Sequence, residues 1–444
     1  MDKNSLSNLL KGNSPVEALS AVYGEREFAA ARSRFARLLS LVDQFPPQYG
    51  FGSAENTGEV RLFSAPGRTE LAGNHTDHNR GCVLAGAIQL DTAAVVIPRK
   101  DKKVFYRSQN YPDVEIDLSD LSPRPAEKGA TEALIRGIAA EMAARGIEVK
   151  GFAASGNSTV LPGSGLSSSA AVEVLVGRIF DSLCGDGRRS ALELAQIGQK
   201  AENIYFGKPC GLMDQTACAA GGAVAIDFAD PQKPLVREIQ FDPEAAGYAL
   251  CVVNTRGSHA DLTPDYAAIP GEMKAAAAFF GKEVLREVDP EVFADRIAEL
   301  RKKTGDRAVL RTIHFIEENA RVKAMENCLV AITPENMNRY LALVNESGNS
   351  SWELLQNVYS PRDPAAQGLS LALAMTKKFL RDAADGKGAC RVHGGGFAGT
   401  IQAYIPLQNI EEYRRLMDKT FGENSVTPLR IRPQGAVEIK LYTP

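Results

Sequence analysis

Residues 161–171 read LPGSGLSSSAA, and from Ala170 to Leu183 the chain carries a helical pattern. Glycine and small hydroxyl residues ahead of a helix leave backbone N–H groups unpaired and pointing at whatever approaches. That setting suits an anion, phosphate above all. The hydroxyls of Ser167, Ser168 and Ser169 add donors, and a serine oxygen is a suitable ligand for Mg²⁺. The chain contains no GxxxxGK[ST], so this is not a Walker A loop. Taken alone, the stretch reads equally well as a glycine–serine cap on an ordinary helix.

Three further segments change that balance. Residues 64–87, SAPGRTELAGNHTDHNRGCVLAGA, pack Arg68, His75, Asp77 and His78 into eleven residues between apolar strands, as expected of a loop lining a site. The two histidines, in an HxxH spacing on a glycine-flanked loop, form a weak metal signature. Residues 209–222, PCGLMDQTACAAGG, set one carboxylate, Asp214, among small and apolar residues, where an unpaired charge is costly. Residues 391–400, RVHGGGFAGT, form a glycine-rich turn after a strand, suited to close backbone approach.

Composition bounds the rest. The 444 residues suffice for two or three folding units. A formal charge of −3 removes the usual electrostatic case for nucleic acid or an anionic membrane as partner. Seven cysteines with no CxxC pair argue against a disulfide framework or a thiolate zinc site and fit a reducing compartment. The opening DKNSLSNLLKGNS lacks the apolar core of a signal peptide, and no stretch approaches a membrane span, so a cytoplasmic location is expected.

Along the chain, the first ~15 residues read as loosely held. Residues 25–45 read as an amphipathic helix. VRLFSAP, CVLAGAIQL, TAAVVIP and VFYRSQ each read as a strand, and residues 131–145 as a helix. A second cluster starts near Gly247 with the strand YALCVVNT. It continues through helical segments at 272–303, 307–331, 335–346 and 364–384, and closes with the strand-like CRVHGGGFAGTIQAYIP and VEIKLYT. Strands and helices in this order argue for an α+β fold of two domains, residues 1–240 and 241–444.

In this order and spacing, the glycine-rich motifs resemble the small-molecule kinases named after galactokinase, homoserine kinase, mevalonate kinase and phosphomevalonate kinase (GHMP). GLSSSAA is similar to their phosphate loop and HGGGFAGT to their C-terminal glycine motif. APGRTELAGNHTDHNRG is similar to the galactokinase signature, usually GRVNLIGEHTDYNGG, and CGLMDQ to that family's catalytic-Asp motif. The likeness runs from about residue 60 to the end, with SHADLTPDY (258–266) and RTIHFIEENARV (311–322) included. It implies an active site in the cleft between the two domains and an ATP-dependent sugar 1-kinase acting on sugar and ATP, with no protein partner required.

The resemblance makes Asp214 the catalytic base at the anomeric hydroxyl and places Arg68 beside it. It assigns Ser169 and Glu202 to Mg²⁺, and Gly163, Ser164, Gly165, Leu166, Ser167, Ser168 and Ser169 to the ATP phosphates. Ser108 falls on a nucleotide contact, and Asn74, His75, Thr76, Asp77 and Tyr266 on sugar contacts. His259 and His314 read as structural. The departures concern specificity. Asn74 stands where the family has a Glu that accepts from the sugar C6 hydroxyl, His78 replaces Tyr, and Arg80 replaces Gly. Loss of that acid removes a like-charge penalty of about 1–4 kcal/mol against a C6 carboxylate, and Arg80 would add attraction. Three readings stay open here: galactose itself, galacturonate or another C6-modified galactose, and a non-catalytic sugar sensor.

Overall fold

The structure, a computed structural model, describes residues 1–12, 16–161, 163–258 and 262–441. The first half runs α1 (Lys3–Lys11), α2 (Glu17–Leu41), β1 (Arg61–Ala72), β2 (Cys82–Pro98), β3 (Lys103–Ser108), β4 (Val114–Asp117), α3 (Thr131–Ala144) and β5 (Phe152–Ser158). It continues with α4 (Ser168–Cys184), α5 (Ala191–Lys200), a π-helical turn at Ala201–Phe206, α6 (Met213–Ala220), β6 (Ala223–Asp227) and β7 (Leu235–Ile239). The second half runs β8 (Tyr248–Asn254), α7 (Thr263–Phe279), α8 (Pro290–Asp295), α9 (Ile297–Thr304), α10 (Asp306–Leu329), α11 (Pro334–Ser350) and α12 (Gly368–Ala383). It ends with β9 (Ala389–Val392), β10 (Thr400–Pro406), α13 (Ile410–Phe421), β11 (Val426–Leu429) and β12 (Val437–Ile439).

Two sheets organise these elements. The larger follows the path β12-β1-β2-β5-β3-β4, with β6 pairing β2 and β7 pairing β6. The smaller is β11-β8-β10-β9. The chain passes from one sheet to the other between β7 and β8, and its last strand returns to the first sheet. This is the mixed α+β plan expected of the kinase fold.

Strand period explains the larger sheet's burial. On β2, Ala94 and Val96 join the core beneath α3, α4 and α5. Their neighbours Ala93, Val95 and Ile97 join a second core roofed by α1 and α2. With both faces covered, TAAVVIP is apolar at consecutive positions instead of alternating. The first residues are not loose: Asp2 caps α1 by accepting from Ser5 N at 3.0 Å, and Leu6 and Leu10 are buried. The helix expected from residue 25 starts at Glu17 and kinks at Gly24, where φ is +67°.

Three further differences have local causes. CVLAGAIQL and TAAVVIP form one strand, because the first part pairs β6 and the second β5. The polar GRTELA stretch, expected as loop, continues β1 through two irregularities, at Pro66/Arg68 and Glu70/Ala72. The helix expected over 272–303 breaks after Phe279. Gly281 turns left-handed at φ +70°, and Asp289 opens α8 by accepting from Glu291 N at 2.8 Å just before Pro290.

Candidate active site

The site begins on β1. Residues two apart on a strand leave the same face, so Arg68 and Glu70 project together toward the loop 73–81 and the start of α6. Arg68 is 5% exposed. Its Nε and Nη2 meet Asp214 Oδ1 at 2.8 and 2.6 Å, and its Nη1 donates to the Gly165 carbonyl. Asp214 lies in the first turn of α6, where the helix dipole favours a negative charge. Its Oδ2 accepts from Ser167 Oγ at 2.5 Å. Burial works against the charge of Asp214, but Arg68 and Ser167 outweigh it and hold the carboxyl below its ordinary range.

Arg68 and Asp214 wall a pocket of about 240 Å³ together with Glu70, Asn74, His75, Asp77, His78, Lys208 and the glycines 394 and 395. Gly211 is required at its rim, because a Cβ there would lie 1.9 Å from Asp77 Oδ2. His75 adopts φ +58° and bonds the Gly395 carbonyl through Nε2 at 2.9 Å. Burial keeps this imidazole neutral, its pKa pulled down to about 3.

A second cavity of about 690 Å³ lies on the other side of the phosphate loop. Ser108 at the end of β3 lines it, as do Tyr106, Leu134, Asn157, Ser158, Ser168, Ser169 and Phe206, a mixed wall suited to a nucleotide. The loop between the two spaces is held from several sides. Gly163 and Gly165 both have φ +70° and Ser167 has φ +57°. Thr400 Oγ1 donates to the Ser164 carbonyl at 2.9 Å, and Arg68 N to the Leu166 carbonyl at 3.0 Å. Ser164 Oγ turns back to the Leu161 carbonyl and Leu166 is buried in the core, so these two contribute backbone rather than side chain to the loop.

Behind the loop, Gln215 Nε2 donates to Glu173 at 2.9 Å and to Glu202 at 3.0 Å. The other Glu202 oxygen pairs with Lys208 Nζ at 3.0 Å. Burial and the nearby Glu202 charge push the Glu173 carboxyl well above its ordinary range. Its Oε1 is buried, and among the described residues no hydrogen bond reaches it.

Several of the expected sugar contacts are used elsewhere. Asn74 is fully buried: Nδ2 donates to Glu70 Oε1 at 3.0 Å and to the Gly394 carbonyl at 2.6 Å, while Oδ1 accepts from Asn357 Nδ2 at 2.7 Å. Thr76 is also buried, its hydroxyl bonding the Gly73 and Cys82 carbonyls, so it shapes the loop and offers no sugar contact. Arg80 points to Glu283 and Glu287 at 2.6 and 2.8 Å, away from the pocket. Tyr266, on α7, donates to the Gly396 carbonyl at 3.0 Å and packs edge-on to Phe397. His314 is structural: it is buried, with its ring nitrogens at 2.8 Å from Ser350 Oγ and 2.9 Å from the Asn74 carbonyl. His259 lies outside the described residues.

The sequence alone did not single out Glu70, Arg391, Lys208 or Gln215. For Glu70 a signal was available in its two-residue offset from Arg68. For Arg391, whose Nη2 meets Glu70 at 2.5 Å, only the fold brings β9 behind β1. No helix among the described residues is long and apolar enough to cross a membrane.

Comparison with known proteins identifies the family. Residues 133–222 match the GHMP kinases N terminal domain, and residues 50–98 the galactokinase galactose-binding signature. Galactokinase of Glaesserella parasuis is 31% identical over 86% of this chain and 93% of its own. Galactokinase of Streptomyces coelicolor is 30% identical over 88% and 94%. The crystal structure of Lactococcus lactis galactokinase complexed with galactose superposes with a TM-score of 0.74 at 27% identity, covering 92% of this chain and 99% of that one. Mevalonate kinase of Methanococcus jannaschii shares the fold, with a TM-score of 0.59 at 15% identity. With an ionised, arginine-held aspartate facing one cavity and a glycine–serine loop edging the other, the chain belongs to the galactokinase family of the GHMP kinases.

Proposed function

We propose that the chain transfers the γ-phosphoryl group of ATP to the C1 hydroxyl of galactose, giving galactose 1-phosphate, ADP and a proton. One observation carries this reading. Ser167 bonds Asp214 on the sugar side, while the next residues, Ser168 and Ser169, line the larger cavity. A phosphoryl group cradled by that loop lies between the nucleotide and the hydroxyl that Asp214 faces.

Phosphoryl transfer asks for positioning and charge stabilisation more than for covalent chemistry. Asp214 orients the C1 hydroxyl and takes its proton as the new P–O bond forms. Arg68 keeps that carboxylate ionised and adds positive charge near the transferring group. His75, Asp77 and His78 offer the sugar polar groups from the loop, and Tyr266 supports the glycine turn opposite. Ser108 and the wall around it receive the nucleotide. Ser169 and Glu202 would supply oxygen ligands to Mg²⁺, Glu202 giving up its contacts with Lys208 and Gln215 to do so. The ion, when bound, neutralises phosphate charge.

The test is ADP release with Mg·ATP, offering galactose and galacturonate in parallel, with the phosphate located on C1 by ³¹P NMR. Faster turnover of galactose is expected. Preference for galacturonate, or no ADP release with any sugar, overturns the reading.

A further inference from the structure

The family signature GRVNLIGEHTDYNGG has Asn at the position of Glu70 and Glu at the position of Asn74. This chain reads GRTELAGNHTDHNRG, so it carries the same acid and amide exchanged. The two side chains touch: Asn74 Nδ2 donates to Glu70 Oε1 at 3.0 Å. The carboxylate that Asn74 lacks is therefore still present in the same wall, four residues earlier and on a strand instead of a loop.

Glu70 is held for a purpose beyond packing. It lines the smaller pocket yet is only 4% exposed. Oε1 takes both fixed contacts, from Asn74 and from Arg391 Nη2 at 2.5 Å, while Arg391 itself is fully buried. Among the described residues no hydrogen bond reaches Oε2, which unlike the sealed Glu173 Oε1 is open to the pocket. Asn74 has no such atom to offer, since its donors and its acceptor are engaged inside the protein.

Resting on the sugar-kinase reading above, we propose that Glu70 is a substrate-binding and specificity-determining residue. Its Oε2 accepts a hydrogen bond from a hydroxyl of a neutral hexose, and its charge excludes a sugar carrying a carboxylate at that place. Asn74 and Arg391 are positioning residues that fix the carboxylate. The Asn74 substitution therefore does not open the pocket to a uronate.

Three variants test this: Glu70→Gln, which keeps shape and a partner for Arg391, Asn74→Glu, and the exchange Glu70→Asn/Asn74→Glu. Each is assayed with galactose, its monodeoxy analogues and galacturonate, beside ATP KM and thermal unfolding. In the unaltered enzyme one deoxy analogue should be turned over distinctly less well than galactose. In Glu70→Gln, KM for galactose should rise about tenfold or more, the loss of a hydrogen bond to a charged group, with ATP KM unchanged. Discrimination against that one analogue should vanish, and the galacturonate-to-galactose ratio should rise. Asn74→Glu, with two acids in contact, should be the worst of the three. The exchange should regain most of the galactose kcat/KM. A Glu70→Gln enzyme that keeps the full deoxy profile, or an exchange no better than Asn74→Glu, overturns the proposal while leaving the kinase reading intact. An unaltered enzyme inactive on galactose overturns both.

Discussion

Arg68 grips one oxygen of Asp214 and leaves the other to Ser167. Both guanidinium contacts, at 2.8 and 2.6 Å, fall on Oδ1, and Oδ2 accepts from the serine at 2.5 Å. On the proposed mechanism, the oxygen left to accept the sugar proton is the one held by a hydroxyl of the glycine–serine loop. Removing the acid, Asp214→Ala should lower kcat by about a thousandfold or more, as expected when a general base and its positioning are both lost. Galactose binding by calorimetry should change far less. Turnover within tenfold of the unaltered enzyme removes Asp214 from the chemistry.

The same contact sets the acid limb of the pH profile. Burial opposes ionisation of Asp214, and the combined pull of Arg68 and Ser167 reverses that, leaving the folded pKa below the ordinary value of 3.8. A lowered folded pKa keeps the base ionised throughout the neutral range and loses it only as pH falls through that depressed value. Arg68→Gln removes the cation, so the acid limb of kcat/KM should move up by about one to three units. A limb that stays in place shows that Arg68 does not tune this carboxylate.

The Glu173–Gln215–Glu202 cluster separates two acids by environment. Burial and the nearby Glu202 charge push the Glu173 carboxyl up, toward its neutral form, whereas Glu202 pairs with Lys208. Glu173→Gln replaces a neutral acid with a near-isostere and should leave kcat within about threefold and stability within about 1 kcal/mol. Glu202→Gln removes the charge offered to Mg²⁺ and should raise the Mg²⁺ concentration for half-maximal rate by about tenfold or more. Titrating Mg²⁺ against ADP release reads both.

What the sequence made legible follows from locality. The phosphate loop, the Asp214 motif and the HGGG turn are contiguous strings whose glycines and hydroxyls announce their backbone geometry, and all three converge on one site. The bonding of Asn74 was not legible because it depends on Glu70, Gly394 and Asn357, two of them remote in sequence. Thr76 and Arg80 share a short polar stretch with Asp77, but spacing in a loop does not say which side chains turn inward. β1 looked like loop beyond Pro66 because its polar residues face a pocket, not water. The helical cover of residues 1–41 was only partly visible, since Gly24 interrupts its periodicity.

That cover reaches the nucleotide cavity through one buried acid. Asp91, 1% exposed, receives Tyr23 Oη at 2.7 Å, Arg432 Nη1 at 3.3 Å, and both Arg34 and Ser64. Arg34 also donates to the Asn157 carbonyl at 2.5 Å, and Asn157 lines the cavity. Asp91→Ala leaves two arginines facing each other without their acid and should cost about 3–5 kcal/mol, read by urea unfolding. Arg34→Ala removes the strut without removing the acid, so its effect should fall on ATP KM, raised severalfold, with galactose KM unchanged. Equal changes in both KM values would mean that α2 steadies the whole domain rather than the nucleotide wall.

Three histidines tie stability to pH. His314 and His393 are buried and His75 is half-buried in the pocket wall, and desolvation lowers each pKa below 6.5. A lowered folded value means that the unfolded chain binds more protons, so stability is complete above the unfolded pKa of 6.5 and falls as pH drops below it. At pH 5 each histidine that stays neutral costs about 2 kcal/mol relative to neutral pH. Denaturation between pH 5 and 8 should therefore show a stability slope that is positive with pH and sets in below pH 6.5. His314→Gln should remove one proton from that slope, because its ring only bridges Ser350 and the Asn74 carbonyl. A slope unchanged in this variant overturns the reading of His314 as a neutral imidazole in the folded protein.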